Sequence, residues 1–133
     1  MDNVELIQKA IAAREMSYSP YSGFKVGAAL LCGNGKIYTG CNIENAAYSP
    51  TNCAERTAFF KAVSEGEADF VAIAVSGWAG EPGLAYPCGV CRQVMMEFCD
   101  PGRFIVIVAS SVDKYQIYLL KDILPFGFGP NCL

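Results

Sequence analysis

The chain has 133 residues, a formal net charge of −3, seven cysteines and no histidine. Binding to a nucleic-acid polymer needs a basic surface that displaces counterions, and the scattered lysines and arginines offer none, so no such partner is expected. The N-terminal residues contain no hydrophobic signal region, and the longest apolar runs, 70–75 and 104–109, are too short to cross a bilayer. We expect a single domain over residues 1–133 in the cytoplasm, with cysteines that are reduced or bind metal.

A helix over residues 3–16 is the first predicted element, with Asp2 or Asn3 as its N-cap. Its apolar residues recur at helical spacing: Val4, Ile7, Ala10 and Ile11. The sequence SPYSG at 19–23 predicts a turn directly after this helix.

A hairpin and an alternation of helices and strands follow the turn. Strands 24–32 and 36–44 flank Gly33-Asn34-Gly35, which is typical of a tight hairpin turn. The remaining predicted elements are helix 53–66, strand 70–75, helix 88–98, strand 103–109, strand 115–120 and a short turn of helix. Strand–helix–strand crossovers make strands parallel, whereas residues 110–114 are too few for a crossover, so the last two strands are antiparallel. The predicted fold is a three-layer α/β/α sandwich around a mixed five-stranded sheet.

Two segments at predicted helix starts carry metal-binding residue types, namely Cys53-Ala54-Glu55 and Pro87-Cys88-Gly89-Val90-Cys91. The helix dipole favours the thiolate form of a cysteine at a helix N-terminus. If both helices follow parallel strands, their N-termini lie together at the carboxyl edge of the sheet. Three thiolates would then converge, one short of tetrahedral zinc, and three protein ligands with one open position are typical of catalytic zinc.

Other interpretations of these residues stay open at this point. The C-x-x-C pair is also typical of a thiol–disulfide protein, although this leaves Cys53 and Glu55 without a role. A structural zinc site would recruit a fourth cysteine from the rest of the chain. The candidates are Cys32, Cys41, Cys99 and Cys132. None is paired at short ligand spacing, so we expect them to be small buried apolar residues. Glu55 also stands three positions after Asn52, which is the spacing of a capping box.

The C-A-E and P-C-x-x-C motifs, with Gly40-Cys41-Asn42-Ile43-Glu44-Asn45 upstream, resemble the homotetrameric zinc-dependent cytidine deaminase family. The resemblance extends from the PYSGFKVGAAL segment at 20–30 to FGP at 128–130. It implies that Cys53, Cys88 and Cys91 bind one Zn²⁺ per chain. The implied reaction is hydrolytic deamination of free cytidine and deoxycytidine to uridine and deoxyuridine plus ammonia, within pyrimidine salvage. In it, zinc-bound hydroxide attacks C4 while the catalytic residue Glu55 shuttles protons.

The same resemblance implies a set of substrate contacts. Asn42 and Glu44 hold the ribose 3′-hydroxyl, and their spacing of two puts them on one face of the predicted strand. Phe24 packs on the nucleoside, with a core phenylalanine as the plain alternative. Phe128 stacks on the base from a neighbouring subunit of a homotetramer with shared active sites, and its alternative is a tail residue that covers the core.

Two arginines have an expected place near the sulfurs. Three thiolates give zinc an excess of negative charge, which Arg56 offsets by donating hydrogen bonds to ligand sulfur. Arg92 is a weaker candidate, and the alternative for both is an ordinary surface charge. A hydrophobic content of 53% favours apolar surface buried between subunits over a large core alone. The competing functions are a deaminase of a modified nucleoside such as blasticidin, a non-enzymatic zinc module and a redox protein.

Overall fold

A computed structural model describes all residues, 1–133, and contains a mixed β-sheet with helices on both faces. In chain order the elements are α1 (Asn3–Arg14), β1 (Lys25–Cys32), β2 (Ile37–Cys41), α2 (Ala54–Ser64), β3 (Phe70–Trp78), β4 (Pro82–Gly83), α3 (Gly89–Phe98), β5 (Ile105–Ser111), β6 (Lys114–Leu119), α4 (Leu120–Ile123) and a final 3₁₀ turn (Pro130–Cys132). This arrangement confirms the predicted fold class.

The strand order in the sheet is β2-β1-β3-β5-β6, and β4 pairs with the end of β3. Strands β3 and β5 are parallel, with Ala74 opposite Ile107, and α3 crosses between them. Strand β1 is antiparallel to both β2 and β3, so β2 and β3 run in the same direction although they are not neighbours. The last two strands, β5 and β6, are antiparallel as predicted. Helices α2 and α3 therefore both begin at the edge of the sheet where β2 and β3 end.

Two strand ends differ from the prediction by three residues, and the other strand boundaries by two residues or fewer. Strand β3 continues to Trp78, because Gly77 and Trp78 pair with Gly83 and Pro82 of β4, a sixth strand where a loop was expected. Strand β2 ends at Cys41, three residues before the predicted end. The backbone after it turns away from β1 and forms isolated bridges of Ile43 with Tyr18 and Asn52.

Helix α1 covers one face of the sheet. It begins after Asp2, whose carboxylate accepts the Glu5 N–H at 3.1 Å, and ends two residues before the predicted end. Its buried positions are Leu6, Ile7, Ala10 and Arg14, whereas Val4 of the predicted apolar stripe is exposed. The guanidinium of Arg14 donates to the Ser76 hydroxyl and the Gly77 carbonyl, both at 2.9 Å. These bonds tie the end of α1 to the carboxyl end of β3.

Helices α2 and α3 cover the other face, over the larger of the two hydrophobic clusters. Four aromatic rings pack around its centre: Phe59, Phe70, Phe98 and Phe104. Helix α2 lies directly on β2 at Gly40, where a Cβ atom would lie 2.5 Å from the Ala54 carbonyl oxygen. This close approach sets the distance between the first turn of α2 and the sheet.

None of the helices combines the length and the apolar character that a bilayer crossing requires.

Candidate active site

Three cysteine sulfurs meet where α2 and α3 begin. Cys53 is the N-cap of α2, Cys88 is the N-cap of α3, and Cys91 lies in the first turn of α3. The Sγ atoms of Cys53 and Cys88 are 3.7 Å apart, and those of Cys88 and Cys91 are 3.5 Å apart. All three lie within 4.8 Å of one another. The structure thus brings together the three cysteines that the helix-start motifs singled out.

The cluster has the dimensions and the donor chemistry of a zinc site. Tetrahedral zinc with Zn–S bonds of about 2.3 Å places its sulfurs roughly 3.8 Å apart, close to the spacings found here. Thiolates are soft ligands that zinc accepts readily. No fourth cysteine, aspartate or glutamate joins the group, so the donor set leaves one position of a tetrahedron open. This is the composition of a catalytic zinc centre and not of a closed structural one.

The remaining cysteines are spread over the molecule. Cys32 is buried, with 1% of its surface exposed, and burial raises its pKa to about 11. Cys41 and Cys99 are half-buried, and Cys132 is exposed. The expectation of a buried apolar residue therefore holds for Cys32 and is wrong for Cys132, because the final 3₁₀ turn has no buried residue.

Arg56 contacts the cluster directly. Its guanidinium donates a hydrogen bond to the Cys53 sulfur at 3.3 Å. A hydrogen bond with Cys91 is the main cause that lowers the pKa of Cys53 to about 5, and the bond from Arg56 adds to it against the opposing effect of burial. These bonds favour the thiolate form of Cys53, and the guanidinium places a positive charge beside it.

Arg92 does not contact a sulfur. Its Nε donates to the Pro87 carbonyl at 2.7 Å, and its terminal nitrogen donates to the Ile123 carbonyl at 2.6 Å. Pro87 immediately precedes Cys88, so Arg92 fastens the start of α3 to the end of α4. Its contacts are those of a residue that supports the backbone near Cys88.

The Glu55 carboxyl is buried beside the sulfur cluster. The side chain is 3% exposed, and burial raises its pKa to about 7, with the negative charge of Cys53 acting in the same direction. A carboxyl with this pKa can both accept and donate a proton near neutral pH. Helix α2 has Cys53 as its N-cap, and Asn52 instead donates to the Thr57 hydroxyl at 3.1 Å. Glu55 is thus the second helical residue and not part of a capping box with Asn52.

A cavity of about 350 Å³ opens above Glu55 and the cysteines. Its lining residues include the predicted substrate-binding residues Phe24, Asn42 and Glu44, together with Cys53, Glu55 and Cys88. Leu84, Ala85 and Tyr86 also line the cavity, and no sequence motif pointed to them. The only signal for these three was their position immediately before Pro87-Cys88. A larger cavity of about 440 Å³ lies near Gly33 and Phe104 and contains no comparable cluster of ligands.

Asn42 stands in one wall of the cavity, and 9% of its surface is exposed. Its Oδ1 accepts the Val26 N–H at 2.9 Å and the Ser17 hydroxyl, and its Nδ2 donates to the Phe24 carbonyl at 2.8 Å. This pattern fixes which end of the amide is nitrogen. An amide nitrogen carries two hydrogens, so these bonds leave one hydrogen of the Asn42 amide unused.

Glu44 lies beside Asn42 and is held by the turn at 19–23. Its carboxylate accepts the Tyr21 and Ser22 N–H groups at 3.0 and 3.1 Å and the Ser22 hydroxyl at 2.5 Å. The hydroxyl bond is the main cause that lowers the pKa of Glu44, and the two backbone bonds add to it. Although β2 ends before them, both side chains line the same cavity.

Phe128 does not line this cavity. The ring is 58% exposed, and the backbone carbonyl accepts a hydrogen bond from the Gln93 side chain at 2.8 Å. Among the residues singled out from the sequence for substrate binding, it is the one that a single chain does not bring to the cavity. Its exposure also contradicts the alternative of a tail residue that covers the core.

Comparison with known proteins assigns the chain to a family. Residues 1–108 match the family model described as the cytidine and deoxycytidylate deaminase zinc-binding region. The chain belongs to the cytidine deaminase family. This membership makes it an enzyme, a zinc-dependent hydrolase, as the motifs predicted.

Similarity to individual members of the cytidine deaminase family extends over the full chain. It is 61% identical to the cytidine deaminase of Sporosarcina psychrophila over 133 residues, which are 100% of this chain and 96% of that protein. It is 51% identical to that of Halalkalibacterium halodurans, over 96% of this chain and 95% of that one. The crystal structure of cytidine deaminase from Burkholderia pseudomallei superimposes with a TM-score of 0.88 at 46% identity, covering 96% of this chain and 100% of that one.

Proposed function

We propose that this enzyme hydrolyses free cytidine and 2′-deoxycytidine to uridine and 2′-deoxyuridine with release of ammonia, using one Zn²⁺ per chain. The observation that carries this proposal is the buried Glu55 carboxyl next to three clustered thiols, at the base of a cavity with two polar sugar-binding candidates. The names of the similar proteins, which are cytidine deaminases, support the same substrate.

Cys53, Cys88 and Cys91 hold the metal. A zinc ion held by these three cysteines would lower the pKa of a bound water molecule and so supply a nucleophile near neutral pH. Arg56 offsets part of the negative charge of the thiolates through its bond to Cys53. The bond from Arg56 is important because three thiolates on one divalent ion otherwise leave a net negative charge, which opposes the deprotonation of a bound water.

Glu55 moves the protons. The overall reaction replaces the C4 amino group by oxygen from water, so both protons of the water leave its oxygen: one ends on N3 of the pyrimidine and the other on the departing amine. Glu55 accepts the first proton from the attacking water and places it on N3 of the pyrimidine. It then carries the second proton from the hydroxyl formed on C4 to the amine, which leaves as ammonia. Burial of its carboxyl keeps bulk water away, so that the proton stays within the site.

Asn42, Glu44 and Phe24 position the nucleoside. Asn42 donates its free amide hydrogen, and Glu44 accepts from the 3′-hydroxyl, so the pair matches both roles of a hydroxyl group. Phe24 packs on the nucleoside from the start of β1. A free sugar hydroxyl suits this carboxylate, whereas a phosphate would be repelled by it.

The assembly proposed for the enzyme is a homotetramer with shared active sites, acting in pyrimidine salvage in the cytoplasm. Large apolar side chains that stand at least half exposed in one chain support it: Met16, Tyr18, Tyr21, Tyr48, Val90, Ile117, Phe126 and Phe128. Burial of this surface between subunits removes it from water.

Glu55→Gln tests the proposed chemistry. The amide keeps the size of the side chain but cannot carry the proton, so kcat for cytidine falls by about 10²–10⁴-fold while zinc content and fold persist. Loss of cytidine absorbance measures turnover, and elemental analysis measures zinc. The control Glu97→Gln, an exposed carboxylate on α3, keeps wild-type turnover. A Glu55→Gln enzyme with near wild-type kcat would remove Glu55 from the mechanism.

A further inference from the structure

The hydroxyl of Ser22 makes two hydrogen bonds, which connect Glu44, the proposed sugar contact, with Phe24, the residue proposed to pack on the nucleoside. It donates to Glu44 Oε2 at 2.5 Å and accepts the Phe24 N–H at 3.0 Å. The backbone can bring the Phe24 N–H back to the Ser22 hydroxyl because Gly23 between them has a φ of +67°, a conformation that other residues rarely adopt. A serine, or another residue with a hydroxyl, is required at this position to donate in one direction and accept in the other.

The carboxylate of Glu44 has one acceptor position left. A carboxylate offers about four lone-pair positions. The backbone N–H groups of Tyr21 and Ser22 occupy both positions on Oε1, and the Ser22 hydroxyl occupies one on Oε2. The free position is therefore on the oxygen that Ser22 holds, and both residues line the cavity. Glu44 can accept one further donor there, which matches a single sugar hydroxyl.

We propose that Ser22 is a positioning residue for the sugar, which acts by holding Glu44 Oε2 toward the 3′-hydroxyl and by fixing Glu44 relative to Phe24. This inference rests on the proposed function, because it takes Glu44 as the ligand of the 3′-hydroxyl. The low pKa of Glu44, caused mainly by the Ser22 hydroxyl, agrees with a carboxylate kept as an acceptor. Ser22 itself touches no reacting atom and is not a catalytic residue.

A positioning role for Ser22 predicts a result that a purely structural role for Ser22 does not. If Ser22 acts through Glu44, its loss weakens binding of nucleosides with a 3′-hydroxyl and spares those without one. The sugar is remote from C4, so the lost contact affects ground state and transition state alike and appears in KM and not in kcat. A turn that is merely loosened instead impairs both kinds of nucleoside equally.

The experiment compares cytidine with 3′-deoxycytidine as substrates of the zinc-loaded enzyme. For Ser22→Ala we expect KM for cytidine to rise about tenfold, as for the loss of a hydrogen bond to a charged group, with kcat nearly unchanged. The preference of kcat/KM for cytidine over 3′-deoxycytidine falls by the same factor. Ser22→Thr keeps the hydroxyl and restores the preference. Ser19→Ala removes a hydroxyl from the same turn that does not contact Glu44 and leaves the preference unchanged.

Glu44→Gln separates failure of this inference from failure of the proposed sugar contact. If Glu44→Gln abolishes the preference for cytidine and Ser22→Ala does not reduce it, the role of Ser22 is overturned and the sugar contact stands. If Glu44→Gln keeps the preference, the assignment of the 3′-hydroxyl to Glu44 is overturned, and the role of Ser22 with it. Equal losses on both substrates in Ser22→Ala also overturn the inference.

Discussion

Cys53, Glu55 and Arg56 have different environments although they are close neighbours in the chain. Cys53 is the N-cap of α2, so its sulfur lies beyond the end of the helix, among the other two sulfurs. Arg56 is the third helical residue, the position from which a side chain reaches back to the N-cap, and it bonds to the Cys53 sulfur. Glu55 lies between them and is buried at the cavity. One helical turn thereby carries the proposed metal ligand, the proposed proton carrier and the cation that bonds to the Cys53 sulfur.

Removal of any one of the three clustered cysteines tests the metal site. We expect Cys53→Ala, Cys88→Ala and Cys91→Ala each to lose most of the bound zinc, because three ligands leave no redundancy. Elemental analysis of the purified variants measures zinc, and circular dichroism checks the fold. The matched control is Cys132→Ala, an exposed cysteine outside the cluster, which keeps one zinc per chain. Zinc loss in that variant would indicate a four-cysteine site instead.

At the scale of the elements, the contact between α2 and β2 decides where the site residues stand. Gly40 on β2 faces the first turns of α2, and a Cβ atom there would lie 2.5 Å from the Ala54 carbonyl oxygen and 2.6 Å from the Ala58 nitrogen. Both neighbours are backbone atoms of the helix, which cannot move singly. The absence of a side chain at Gly40 therefore lets the start of α2, where Cys53 and Glu55 lie, pack closely against β2.

Gly40→Ala is expected to push α2 away from the sheet. Overpacking of this kind typically costs about 1–3 kcal/mol, and the displacement of Cys53 and Glu55 lowers kcat as well. Urea denaturation measures the free energy of unfolding, and cytidine turnover measures kcat. Gly83→Ala is the control, because a Cβ atom at Gly83 has no neighbour within 4 Å. A Gly40→Ala enzyme with unchanged stability and kcat would show that the helix accommodates the methyl group.

At the scale of the whole molecule, the C-terminal segment extends away from its own cavity. Phe126 has a φ of +55°, and its side chain is fully exposed. Phe128, two residues later, also projects from the surface, while the buried Gly129 lies against Met96 of α3. A single chain gives neither ring a packing partner that covers it. This arrangement suits a segment that completes the site of another subunit.

A mixed-chain experiment tests the proposed sharing of active sites. Glu55→Gln lacks the proton carrier, and Phe128→Ala lacks the stacking ring, which is typically worth about 1–3 kcal/mol per base. If the sites are shared, hybrids formed by refolding the two variants together contain some sites with intact Glu55 and intact Phe128 from different chains. We expect activity above the sum of the two parents. Hybrids of proven composition without recovery would place Phe128 outside the neighbouring site.

The sequence by itself determined the type and order of the main elements and the three cysteines that cluster in the structure. Helical spacing, the Gly33-Asn34-Gly35 turn and the short connection at 110–114 are local signals, so they predicted the fold class without knowledge of distant contacts. The cysteine motifs are local as well. Their position at two helix starts was enough to predict that three sulfurs converge.

Only the tertiary structure decided the properties that depend on residues far apart in the chain. The burial of Glu55 and the raised pKa that follows from it arise in the folded chain, where Glu55 of α2 lies beside Cys91 of α3, and no local pattern encodes them. Strand β4 forms because its two residues meet the end of β3, against the usual preference of proline and glycine for loops. Likewise Ser22 lies 22 residues before Glu44, and the hydrogen bonds between them form because the tertiary structure brings the turn at 19–23 beside Glu44. Such contacts are fixed by the packing of the whole chain, which short-range periodicity does not specify.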